Sequence, residues 1–152
     1  MEIRFIREED TEKVYGMAEK FLAESPFLSE LTIEPQSVAN IVRTATKQEQ
    51  LVFWVAEDKG ELVGMLAVFI VPSPFNVSVL VADEMVWWVD PRYRKTLGSE
   101  MLSKALSYCK DRGAKFFVMK YIHDGSVPID KIQKVFKRKG FDTVETTVVK
   151  RL

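Results

Sequence analysis

The residues best equipped for chemistry lie in one stretch, Val89-Asp90-Pro91-Arg92-Tyr93-Arg94-Lys95-Thr96-Leu97-Gly98-Ser99, between a predicted strand end and a predicted helix start. The first turn of a helix leaves backbone N–H groups unpaired and carries partial positive charge. A loop that brings Arg94, Lys95 and the Thr96 hydroxyl to such a turn is an anion cradle suited to a pyrophosphate. The same letters also read as a capped helix behind a solvated basic turn, and composition does not choose between the two. Upstream, Glu84 stands in a strand otherwise rich in Val, Met and Trp, where loss of hydration raises a carboxyl pKa toward the range of a general base. Its other reading is a strand-end glutamate in solvent. Asp83 falls on the opposite face by strand alternation.

The apolar periodicity supplies the frame. Glu2 to Arg7 alternates polar and apolar and reads as a strand. Asp10 offers an N-cap to a helix that carries Val14, Met17, Ala18, Phe21 and Leu22 to about Glu24. After the loop Ser25-Pro26-Phe27-Leu28, Pro35 fits the first turn of a second helix with Val38, Ile41, Val42 and Ala45 on its apolar face. Leu51 to Glu57, the turn Asp58-Lys59-Gly60 and Leu62 to Val71 form a hairpin, and Val77 to Val89 makes it a meander. Helical spacing returns from Gly98 to Arg112, with Gly113 as terminator. Phe116 to Ile122 reads as a buried strand. Pro128 to Lys139 reads as a helix with Ile129, Ile132, Val135 and Phe136 inward, stopped by Gly140. Phe141 to Val149 closes as a strand, in one piece or two. This order predicts an α/β fold with a mixed, mainly antiparallel sheet of six to seven strands and about four helices on both faces.

The chain of 152 residues fits one domain, 1–152. With 47% hydrophobic and 29% charged residues it falls outside the disordered, collagen-like and disulfide-scaffold classes. Its 22 basic and 22 acidic residues count against a coat for nucleic acid. The balance is segregated, however. Residues 1–36 carry four basic and nine acidic groups, and residues 131–152 carry seven basic and two acidic. The single cysteine, Cys109, allows no internal disulfide and no thiolate metal site, and it reads as an inert thiol on the inward face of a helix in a cytoplasmic protein. The longest apolar run, Leu62 to Val71, is interrupted by Gly64 and is too short to span a bilayer.

In this order of elements, V-D-P-R-Y-R-K-T-L-G-S-E-M-L resembles the acetyl-CoA loop of the GNAT superfamily of N-acetyltransferases. That motif runs Arg or Gln, two residues, Gly, one residue, then Gly or Ala. Arg94 takes the first place, Leu97 stands where the first Gly is usual, Ser99 takes the last place, and Gly98 lies between. Gly113-Ala114 and Lys139-Gly140-Phe141 stand at the family's separations. Glu84-Met85 with Trp87-Trp88 and Val-x-Pro resembles bacteriophage and prophage members.

The resemblance implies acetyl-CoA as co-substrate, with its pantetheine arm between the strand ending at Val89 and the strand Phe116 to Ile122. Trp88, Val89, Arg94, Lys95, Thr96, Leu97, Gly98 and Ser99 would hold it, and the Val89 N–H would polarise the thioester carbonyl. The reaction implied is direct attack by a neutral amine of a small molecule or protein, with Glu84 as base. The tyrosine that many members use as acid is replaced by Phe136, so Tyr121 or His123 would take its place, or the chain is a catalytically silent binding module. Phe27, Leu28 and Phe75 lie in the loops that build the family's acceptor site. Lys134, Lys137, Arg138 and Lys139 read as a solvated helix face, or as a face that attracts the nucleotide 3′-phosphate or an acidic partner. An edge strand near Thr143–Val149 would suit a homodimer. Neither nucleic acid, membrane nor metal is expected as a partner.

Overall fold

The sheet grows from one tight turn. Lys59 and Gly60 take φ of 50° and 84°, the left-handed pair that a two-residue hairpin loop requires. In the computed structural model, which describes residues 1–122 and 125–152, this turn joins β2 (Leu51–Asp58) to β3 (Glu61–Ser73). Strand β1 (Glu2–Phe5) pairs antiparallel with β2, and β4 (Asn76–Val89) pairs antiparallel with β3. A fifth strand, β5 (Ala114–Val118), lies parallel to β4, so the order across the sheet is β1-β2-β3-β4-β5.

Alternation along the strands sends one set of side chains to each face, and helices cover both. On one face α1 (Thr11–Ala23) and α2 (Pro35–Lys47) bring Val14, Met17, Val38 and Val42 against Phe53, Val55, Met65 and Trp88. On the other, α3 (Leu97–Asp111) brings Leu97, Met101, Ala105 and Cys109 against Trp54, Leu66 and Val68. Burial pushes the Cys109 thiol up to about 11, which suits an inert packing group. The last helix, α4 (Ile129–Arg138), joins the α3 face through Phe136, whose ring lies 5.9 Å from that of Trp87.

Three expectations about the sheet are corrected. The sheet has five strands, not six or seven, because residues 141–152 form no strand. Val144, Val148 and Val149 there are 87%, 88% and 65% exposed. β-branched residues make a strand only when an edge accepts their hydrogen bonds and a face buries them. The edge strand that would carry a homodimer is therefore not formed at Thr143–Val149. The predicted strand to Ile122 also stops early, at Val118, with Phe116 on the surface.

Asp10 stands at the N-cap position of α1, but its side chain makes no cap bond. It accepts two bonds from Arg4, at 2.8 and 2.9 Å, and one from the Arg7 N–H at 2.8 Å, while Arg4 also reaches Glu57. This buried cluster ties β1 and β2 to the start of α1. The Arg4 guanidinium holds the Asp10 carboxyl below its ordinary value of 3.8. Asp10→Asn is expected to lower unfolding stability by about 2 to 4 kcal/mol at pH 7, since it leaves a buried guanidinium half-paired. The wild type's advantage, measured by urea unfolding, is full above pH 3.8 and lost as pH falls through the lower, folded value.

Candidate functional site

Strands β4 and β5 share a ladder only from Leu80 to Asp83 on one side and Ala114 to Val118 on the other. Beyond it β4 runs on to Val89 paired with β3, and on its β5 side a gap opens where a fifth residue pair would lie. The Asp90 N–H bonds to Val63 O on the β3 side at 2.9 Å. Backbone groups alternate along a strand, so the Val89 N–H and C=O face away from β3, into the gap. Arg94 Nε donates to Val89 O there at 2.8 Å.

Glu84 enters the same gap because of a bulge. The register passes from Ala67↔Val86 to Val68↔Glu84, so Met85 is an extra residue in β4. Strict alternation would put Glu84 on the face of Val86 and Trp88. The bulge turns it to the face of Trp87 and α3. Glu84 is 6% exposed, and burial pushes its carboxyl up to about 7, opposed by the Lys120 N–H bond and the Lys120 charge. Lys120 works at three points: its N–H donates to Glu84 Oε2 at 3.1 Å, and its ammonium to Glu84 O at 2.7 Å and to Asp83 at 2.5 Å. Its amide thus serves Glu84 instead of the ladder, and this is why β5 ends two residues earlier.

The loop into α3 is braced by Asp90, whose carboxylate accepts from the Arg92 N–H and from two Arg92 guanidinium nitrogens, all at 3.0 Å. Leu97 is 0% exposed and packs in the core. Gly98 lies against Trp87, where an added Cβ would stand 3.1 Å from the indole Cζ2. Thr96 makes no side-chain cap, and Lys95 and Thr96 are exposed. The first-turn amides of α3 at Leu97, Gly98 and Ser99 have no partner within the helix.

A cleft of about 400 Å³ joins these parts. It passes through the gap: Glu84, Trp87, Gly98 and Ile132 line it from one face of the sheet, and Phe21, Glu24, Leu28, Met85 and Trp88 from the other. Tyr121 also lines it, with its ring 6.1 Å from Phe136. Glu24, at the end of α1, accepts from Trp88 Nε1 at 2.7 Å, from Arg94 Nη2 at 2.5 Å and from Ser126 Oγ at 2.5 Å.

The sequence model of the acetyltransferase (GNAT) family matches residues 8–143. The chain belongs to that family. Among solved structures it is similar to a transcriptional regulator from Bacillus halodurans (20% identity, 99% of each chain, TM-score 0.80). It is also similar to an acetyltransferase from Trypanosoma brucei (18%, 99% of each chain, TM-score 0.75). A third, a predicted acetyltransferase from Clostridium acetobutylicum solved with acetyl-CoA, has 14% identity over 99% of this chain and 95% of its own, with TM-score 0.74. At these identities the likeness shows the fold alone. No curated protein matches at a significant level of similarity.

The GNAT resemblance singled out ten residues, and the structure brings most of them to one place. Glu84, Trp88, Val89, Arg94, Gly98 and Tyr121 line one cleft. Leu97 does not: its side chain is core, and only its amide remains at the helix start. Lys95, Thr96 and Ser99 stand at the rim of that start. His123 lies outside the described residues. Of the acceptor-loop apolar residues, Leu28 is joined by Phe21 in the wall, whereas Phe75 is at an exposed turn and Phe27 lies under the Arg151 guanidinium. Three residues were missed: Glu24, Lys120 and Ser126. No local signal marks them, because each acts through partners at least 32 positions away.

The raised Glu84 pKa has a stability signature. Its proton is held more tightly in the fold than at the ordinary value of 4.5, so the wild type loses stability as pH rises from 4.5 through about 7. Glu84→Gln, which keeps the acceptor for Lys120 N–H, is expected to match the wild type near pH 4 and exceed it by up to about 3 kcal/mol at pH 8 in denaturant titrations.

Proposed function

We propose that this GNAT protein is an acetyl-CoA-dependent N-acetyltransferase acting on a primary amine. The observation that carries the reading is the buried carboxyl of Glu84, which faces a gap between β4 and β5 that also receives the Val89 amide and ends at the start of α3. The residues fit the co-substrate. First-turn amides of Gly98 and Ser99 with Arg94 and Lys95 suit a diphosphate, and the Val89 N–H, turned into the gap, suits an amide-bearing arm such as pantetheine. Bound there, acetyl-CoA supplies the acetyl group as a thioester.

The chain's own groups do the rest. Glu84, ionised above about pH 7, takes the proton of the incoming ammonium, directly or through water. The Val89 N–H donates to the acyl oxygen as negative charge develops on it. The Tyr121 hydroxyl is the nearest counterpart to the acid that Phe136 cannot supply, and we assign it the proton for the departing thiolate. Walls from Phe21, Leu28, Met85 and Trp88 suit an acceptor with an apolar body. The single buried thiol suits a reducing compartment, and we infer the cytoplasm.

Phe136 favours one other reading, a silent acyl-CoA binder, because its ring is packed among Trp87, Tyr121 and Phe141 with no proton to give. Thiol release from acetyl-CoA across a panel of amines separates the two. The enzyme reading expects turnover whose kcat/KM rises with pH through about 7 and falls about 10²- to 10⁴-fold in Glu84→Gln. Binding of acetyl-CoA with no thiol release for any amine would establish the silent module instead. An unchanged rate in Glu84→Gln would remove Glu84 as base.

A further inference from the structure

The cation best placed for a diphosphate is already engaged. Arg94 gives Nη2 to Glu24, Nε to Val89 O and Nη1 to Ser126 Oγ. A guanidinium presents its donors in a fixed planar fork, so the edge turned to Glu24 cannot also meet phosphate. The Val89 carbonyl, which faces the gap, is taken by the same side chain. A diphosphate that takes the edge now turned to Glu24 must therefore break this clasp.

Breaking it changes Glu24. The carboxylate keeps two neutral donors, the Trp88 indole and the Ser126 hydroxyl, but loses its counter-ion. Both partners are only about a quarter exposed, at 25% and 23% of their side chains, so the stranded charge is poorly hydrated and an incoming cation relieves it. The reacting amine cannot be that cation, because it must be neutral at attack and Glu84 serves it. Glu24 is left for a second positive group on the same acceptor, within the same cleft as Glu84.

Resting on the proposed function, we infer that Glu24 is a specificity-determining residue that neutralises Arg94 until a diphosphate takes it, and then recognises the second cationic group of a di- or polyamine acceptor. The two ligands are thereby coupled: a diphosphate on Arg94 strengthens binding of the dication, and the dication strengthens binding of the diphosphate by the same factor.

Isothermal titration of the full chain with CoA, in buffer, in diaminobutane and in butylamine, tests this. The wild type should bind CoA more tightly in diaminobutane than in butylamine. Glu24→Gln should bind CoA about three- to tenfold more tightly than the wild type in buffer, since no carboxylate competes for Arg94, and should lose the difference between the amines. A merely structural Glu24 would instead leave CoA affinity unchanged or weakened on substitution, and either result overturns the inference, as does amine coupling that survives in Glu24→Gln. Should that variant fail to fold, Glu24→Asp carries the test: its shorter reach weakens the clasp, so CoA affinity should exceed the wild type's while the coupling persists. Absence of CoA binding by the wild type would overturn the proposed function itself, a failure distinct from those of Glu24.

Discussion

Backbone groups that leave a sheet ladder must find other partners, and in this protein the stretch of β4 beyond Asp83 is where that requirement falls. The Lys120 amide turns from the ladder to the Glu84 carboxylate, and the Lys120 ammonium fixes the Glu84 carbonyl and the Asp83 side chain. The Met85 bulge rotates Glu84 toward the opening so formed. The gap, the buried carboxyl and the Val89 groups facing outward are thus consequences of one divergence, and the cleft needs no separate architecture to explain it.

Charge follows the same geometry. The formal charge of the chain is zero, yet Arg92, Arg94 and Lys95 gather where α3 begins, and the helix start adds its own partial positive charge. Asp90 commits Arg92 to bracing the loop, and Glu24 engages Arg94. Two of the three cations at the helix start are therefore held in pairs, which suits the proposed meeting with a small polyanion.

Much of this was legible in the letters. Lys59-Gly60 marks the hairpin, Gly113 and Gly140 stop their helices at φ of 85° and 80°, and Pro35 opens α2. Glu84 was identifiable because a carboxylate among Val, Met and Trp has few hydration partners. The bulge was not, because a single inserted residue leaves the composition of a strand unchanged and shows only in its register with β3. The C-terminal stretch misled because Val and Thr content reports a preference, whereas a strand also needs an edge to pair with. Leu97, which departs from the GNAT motif, is accommodated because it turns into the core and leaves the helix start to backbone and Gly98.

The measurement that bears most directly on the account is an electron-density map of the protein with CoA. The account predicts the diphosphate on the Gly98 and Ser99 amides and the pantetheine arm in the gap beside Val89, with its thiol end toward Glu84. CoA found outside that gap, with β4 and β5 diverging around nothing, would contradict it.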